Sequence, residues 1–246
     1  MSAHSLPLQR VLIVAPHPDD EAIATGGLIQ QTLADGGAVR VVFLTDGERN
    51  VWPQRAMLRK WRISAADRAA WGALRRREAL ASLAILGASE SDAAFLGFPD
   101  GGLNILAAVG DPRIADALSA LVRSFGPTLM VSPSSFDLHS DHRAAALFAH
   151  RAAGEVPVVT FLVHGEAPEG RLAAILPLSE EQLARKREAI LCHSAQLFLS
   201  RKRFLSRARA GEPFYLPEHD RVRVDSEMRR RVARARHRMR VLLGKR

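Results

Sequence analysis

Two short segments concentrate the side chains that hold metals and move protons. In Pro16-His17-Pro18-Asp19-Asp20-Glu21, an imidazole stands between two prolines and is followed by three carboxylates. In Asp137-Leu138-His139-Ser140-Asp141-His142, two histidines three residues apart alternate with acids. Histidine and carboxylate together supply nitrogen and oxygen ligands for a transition metal, and further acids can orient the imidazoles. Each segment also has a plain reading as a helix start. Asp19 or Asp20 would cap, Glu21 would favour the positive end of the helix dipole, and Asp141 would cap a later helix. Capping leaves His17 without a role, and it explains a pair of such segments less well than one.

The elements that must position these segments alternate along the chain. Apolar runs at residues 10–15, 39–45, 93–96, 128–132 and 156–164 read as strands, the first two continuous enough to be buried on both faces. Helical patterns follow the acidic triplet to about residue 34, then span 54–86 with Gly72 as a break, 111–124, 141–153 and 179–198. Residues 97–103 read as a loop. Such β-α repetition predicts an α/β fold, a Rossmann-like, mostly parallel sheet with helices on both faces. In open sheets of this kind ligands collect outside the C-terminal strand ends, where the strand order reverses. Both histidine segments fall at predicted strand ends, as do Asp46 and His164.

With these residues in view, the sequence resembles the PIG-L/LmbE-like zinc-dependent N-deacetylases. The likeness rests on His17-Pro18-Asp19-Asp20-Glu21 and His139-Ser140-Asp141-His142. Leu44-Thr45-Asp46-Gly47-Glu48, Arg75-Arg76-Arg77-Glu78 and Lys186-Arg187-Glu188 extend it over roughly residues 8–198. The resemblance implies that His17, Asp20 and His142 bind Zn²⁺, with Fe²⁺ as an alternative occupant. It makes Asp19 the general base and His139, supported by Asp141 and protonated, the group that polarises the substrate carbonyl. Two histidines and one carboxylate leave coordination open, as catalytic zinc requires. Arg75, His164 and Asp46 are the candidate substrate contacts, each with a plainer reading as helix surface, strand end or turn. The implied reaction removes an acetyl or other acyl group from an amino-sugar conjugate or glycolipid. A non-sugar N-acyl amine is the alternative substrate, and a membrane- or nucleic-acid-associated protein with a vestigial site is the alternative class. The chain departs from the family pattern at Ser140, where proline is common, and at Asp137 and His193, where some members carry tyrosine.

Composition narrows the classes further. Of 246 residues 47% are hydrophobic and 25% charged, which suits a globular domain with a substantial core. The single cysteine, Cys192, excludes an internal disulfide framework and a cysteine-based zinc cluster. No basic start followed by an apolar stretch opens the sequence, so a cytoplasmic location is expected. The net charge of +9 resides at one end, because residues 201–246 hold 16 Lys/Arg against 5 Asp/Glu. The expected division is therefore a catalytic domain over 1–200 and a basic extension over 201–246. Within that extension Met228, Val232, Ala235, Met239 and Leu242 form a heptad-like seam on a basic helix. The seam predicts self-association or peripheral contact with an anionic membrane surface. Nucleic acid is the weaker expectation, since aromatic side chains that would stack on a single strand are lacking in 224–246. Trp52, Trp61 and Trp71 lie among arginines, and read either as a rim for a sugar or lipid-linked substrate or as buried helix residues.

Overall fold

The structure is a computed structural model and describes residues 6–218. Strand β1 (Arg10–Ala15) lies inside a seven-stranded sheet, parallel to β2 (Ala38–Thr45) on one side and β4 (Leu129–Pro133) on the other. β3 (Ala93–Phe98) extends the sheet beyond β2, and β5 (Val158–Phe161) extends it beyond β4. The uninterrupted apolar sequence of β1 is explained by burial on both faces. Val11, Ile13 and Ala15 enter one core, and Leu12 and Val14 enter the other.

The first core is covered by α1 (Asp20–Ala34), α3 (Ala65–Ile85) and α7 (Glu180–Leu191). The second is covered by α4 (Leu103–Val109), α5 (Arg113–Phe125) and α6 (Ser140–Ala153). The strand order reverses between β1 and β4, so the loops leaving these two strands face one crevice. These loops carry the two histidine segments.

Several sequence expectations need correction. The helical stretch expected over 54–86 is two helices, α2 (Val51–Leu58) and α3. The break is Arg59 in a left-handed conformation, after which Ser64 and Asp67 form a capping box that restarts the helix. Gly72 is interior to α3, where it lets Asp46 approach closely. The stretch 179–198 is likewise α7 followed by α8 (Ser194–Leu205).

The boundary expected at residue 200 falls inside α8, and β7 (Gly211–Tyr215) enters the sheet between β5 and β6 (Leu172–Pro177). The physical reason is charge. Glu212 is buried against the buried Lys186 at 2.5 Å and accepts from the amides of Gly27 and Leu28 in α1. The body therefore extends through β7. The amphipathic seam expected from Met228 to Leu242 lies outside the described residues. None of the described helices is long and apolar enough to cross a membrane.

Candidate active site

Asp19 is the residue at which β1 gives way to α1, and its backbone is forced to φ 141°. A non-glycine residue in this region is strained, and such strain gathers at functional sites. Four hydrogen bonds hold it there. The Asp19 amide donates to Glu21 Oε2 at 2.8 Å, the Asp19 carboxylate accepts from Arg75 Nη2 at 2.8 Å, and the amides of Ala22 and Ile23 donate to its carbonyl. Glu21 is anchored in turn by Ser82 and His193, each at 2.8 Å.

Asp20 turns the other way. Its Oδ2 lies 3.3 Å from both His17 Nδ1 and His142 Nε2, and it accepts from the His17 amide at 2.9 Å. The second segment closes the site from β4 and α6. The ring centroids of His17, His139 and His142 are 4.9–5.4 Å apart, and His164, after β5, completes a group of four imidazoles. One ring nitrogen of each of His17, His139 and His142 lies within 4.8 Å of the others.

The electrostatics follow from this crowding. Burial opposes charge on His17, yet Asp100, Asp141 and Asp20 hold it well above the usual imidazole value. Burial likewise opposes charge on His142, but Asp20 and Asp137 raise it to about 9. Burial works to raise Asp20, and His142 and His17 overcome it and hold the carboxyl low. His139 is pushed down to about 4 by burial and by its two imidazole neighbours. Burial lifts Asp19 to about 6 against the pull of Arg75.

The donor set fits a divalent cation. Ring nitrogens of His17, His139 and His142 come within 4.8 Å of one another, as do a His17 nitrogen and oxygens of Asp100 and Asp141, while Asp20 Oδ2 lies 3.3 Å from His17 Nδ1 and from His142 Nε2. His17 Nε2, the ring nitrogen that faces Asp100 Oδ1 at 3.3 Å and Asp141 Oδ2 at 3.6 Å rather than Asp20, is buried without a well-aligned hydrogen bond. Carboxylates that favour positive charge on two imidazoles favour a metal cation in its place as well.

Most of the candidate residues line one cavity of about 400 Å³, namely His17, Asp19, Asp20, Arg75, His139, His142 and His164. Three take up different contacts from those expected. Asp46 is absent from the cavity wall and makes a bidentate pair with Arg76 at 2.7 and 2.8 Å. Arg75 reaches the wall, but its guanidinium is only 1% exposed and is engaged by Asp19 and by the carbonyls of Gly47 and Pro18. It positions Asp19 and has little left for a substrate. The Asp141 carboxylate accepts from the Gly101 amide at 2.7 Å and lies 3.6 Å from His17 Nε2. Its link to His139 runs through its backbone amide, which donates to His139 Nδ1 at 3.3 Å.

Two functional residues lay outside the expected set. Asp137 Oδ2 sits 3.1 Å from His142 Nδ1 and accepts from the amides of Val163 and His164, while its Oδ1 accepts from the His139 amide. One carboxylate thus orients an expected ligand and ties β4 to β5. Asp100 lies in a loop that reads as a turn, yet it faces His17 and accepts from the Arg49 amide at 2.8 Å. Of the three tryptophans, Trp71 is buried, whereas Trp52 and Trp61 are exposed and flank the Arg55 guanidinium.

Residues 12–153, more than half of the chain, match the family described as PIG-L, GlcNAc-PI de-N-acetylase. The chain belongs to the PIG-L family. This PIG-L protein is 29% identical over 228 residues to the 1D-myo-inositol 2-acetamido-2-deoxy-alpha-D-glucopyranoside deacetylase of Corynebacterium glutamicum strain R, covering 78% of its own length and 76% of the relative. Its fold matches a solved A40926 pseudoaglycone deacetylase with a TM-score of 0.67 at 22% identity, over 85% of this chain and 96% of the other. It also matches the 4-carboxy-2-hydroxymuconate hydratase of Pseudomonas putida KT2440, with a TM-score of 0.65 at 25% identity over 81% and 82%. The PIG-L fold thus resembles proteins named for different reactions, and the reaction must be argued from the site.

Proposed function

We propose that this PIG-L protein is a zinc-dependent hydrolase that removes an N-acetyl group from an amino-sugar conjugate of the N-acetylglucosamine type. The observation that carries the reading is the meeting of Asp19, Asp20, His17, His139 and His142 in one cavity. Similarity to a curated deacetylase of an N-acetylglucosaminyl inositol supports the substrate class.

His17, Asp20 and His142 would hold the cation, Zn²⁺ or Fe²⁺, with Asp137 fixing the His142 ring. A cation in that position acidifies a water and polarises an amide carbonyl. Asp19 is the base. Its carboxylate lies at the cavity wall, and its affinity for protons near pH 6 suits a group that takes a proton from water and returns it to the leaving amine. Arg75 keeps that carboxylate in place.

His139 acts as a neutral donor, in contrast with the charged form the resemblance implied. Its Nδ1 accepts from the Asp141 amide, which places the proton on Nε2 and leaves an N–H for the carbonyl oxygen as negative charge develops. Burial and two imidazole neighbours lower the ring's affinity for a second proton. His164, Asn50 and Gln196 complete the wall and offer hydrogen bonds to sugar hydroxyls.

The test joins metal content to product formation. The purified protein, reconstituted with zinc, is expected to hold about one metal per chain, and His17→Ala is expected to lose it. N-acetylglucosaminyl conjugates should release acetate and free amine in equal amounts. Failure of the metal-loaded protein to release acetate from any of them would overturn the reading.

A further inference from the structure

Beside the cavity, α2 packs against α8. Asn50, which precedes α2, donates to Gln196 Oε1 in α8 at 3.1 Å, and both residues line the cavity. Beyond this junction each element turns large apolar side chains to solvent. Trp52 and Trp61 are 62% and 75% exposed, and Met57, Leu58, Phe198 and Leu199 are exposed as well. Apolar side chains scattered singly over a surface need no explanation. Several on two adjoining elements, two of them tryptophans, mark an interaction surface.

Charge indicates what the surface meets. Residues 49–62 hold five Lys/Arg and no Asp/Glu, and residues 194–211 hold another five and again no acid. Lys60 is paired with Asp67 at 2.6 Å and Arg49 lies 3.9 Å from Glu48, both acids standing outside these segments. The Arg55 guanidinium lies over both exposed indoles, 5.1 Å from the Trp52 ring and 4.7 Å from the Trp61 ring. Indoles among cationic groups, with aliphatic chains beside them, match the layers of a bilayer interface. The rings suit the headgroup level, the aliphatic chains suit the hydrocarbon boundary, and arginine and lysine are drawn to anionic lipid. A second copy meeting this surface face to face would set like charges together. A single-stranded nucleic acid stacks its bases on aromatic faces. Arg55 already covers a face of each indole, and Met57, Leu58 and Leu199 give a base nothing to stack on.

We propose that residues 49–62 and α8 dock this protein on an anionic phospholipid bilayer, with Trp52 and Trp61 as the anchors. The surface is separate from the seam expected over Met228 to Leu242, and it stands whether or not the cavity removes acetyl groups. Asn50 and Gln196 belong to the cavity wall and to the junction of the two docking elements, so docking brings the cavity to the headgroup layer.

The tryptophans report on the contact themselves. All three lie between residues 52 and 71, Trp71 is buried, and residues 219–246 contain none. The full chain is mixed with vesicles of phosphatidylcholine alone or of equimolar phosphatidylcholine and phosphatidylglycerol, each prepared with and without brominated acyl chains. Co-sedimentation with the anionic vesicles is expected to be stronger by about tenfold or more and to weaken with added salt. The brominated chains should quench the indole emission of the wild-type protein. Trp52→Ser/Trp61→Ser, two changes at exposed positions, should keep the wild-type melting temperature, lose the quenching and bind the anionic vesicles about tenfold more weakly. Binding without quenching, as contact through residues 219–246 alone would give, overturns the proposal. No preference for the anionic vesicles, displacement from them by polyuridylate, or a double variant that binds as the wild type does would each overturn it too. A surface occupied by a second copy would show instead as a dimer that the double substitution dissociates, with no quenching by vesicles, and that result also overturns it.

Discussion

Asp19 bears three constraints at once: a strained backbone, a buried guanidinium partner and a proton affinity raised to about 6. Asp19→Asn keeps the shape and the hydrogen bond from Arg75 but cannot carry a proton. Turnover should fall by roughly 10²–10⁴-fold, the usual contribution of a positioned base, with zinc content unchanged by elemental analysis. Asp20→Asn should instead release the metal. His193 offers a pH test outside the cation-binding group. Burial opposes its charge, but Glu21 raises its affinity for protons in the folded state. The pair's stabilisation is therefore complete below the unfolded value of about 6.5 and is lost as pH rises through the higher folded value. Urea unfolding at pH 6 and pH 8.5 should show the wild type less stable at the higher pH, with a smaller difference in His193→Gln. The histidines and paired acids were legible in sequence because their types and spacing are unusual. Asp137 was not, because a carboxylate that orients a ligand declares itself only by the ring it meets across space. The pairings of Arg75 and Asp46 were not legible for a related reason. An arginine triplet on a helix does not reveal which member turns toward Asp19 and which toward Asp46.

At the scale of elements, the turn after β2 acts as a spacer for α3. Gly47 has φ +64°, and a Cβ there would stand 1.5 Å from Arg75 Nη1. Gly47→Ala must displace the guanidinium from Asp19, beyond the backbone cost of about 1–2 kcal/mol for a left-handed alanine. Gly36, at φ +74° with nothing within 4 Å, is the matched control. Both alanine variants should lose stability in thermal melts. Only Gly47→Ala should also lose tenfold or more in kcat. The parallel strands β1, β2, β4 and β5 and the covering helices α1, α3, α5, α6 and α7 were readable from continuous apolar runs and helical periodicity, whereas the short α4 after the 97–103 loop was not. β6 and β7 were not: both are short and half exposed, β7 contains Pro213, and their antiparallel pairing depends on each other and on Glu212.

For the whole molecule, the arrangement of charge decides where the chain can be cut. Removing residues 201–246 takes away Glu212 and strands Lys186 in the interior, a loss of about 3–5 kcal/mol for a broken buried pair before the missing strand is counted. A protein ending at residue 200 should fail to give a cooperative melt. One ending at 218 should fold and, on the proposed function, retain acetate release from a small N-acetylglucosaminyl substrate. A dead but folded 1–218 protein would show that residues 219–246 contribute to the site. The sequence pattern located the charge asymmetry but drew the boundary too early, because net charge does not register that one of the few acids after residue 200 neutralises a buried lysine.

The place of β7 between β5 and β6 also bears on how the protein is made. A ribosome releases the chain from its N-terminus, so β6 emerges about forty residues before the strand that joins it to the sheet. The loops bearing the histidines can meet earlier, since β1 and β4 are both complete by residue 133. A nascent chain could thus assemble its reactive centre while one flank still exposes an unpaired strand edge and an uncompensated lysine. That interval is the one in which aggregation or chaperone capture would compete with maturation.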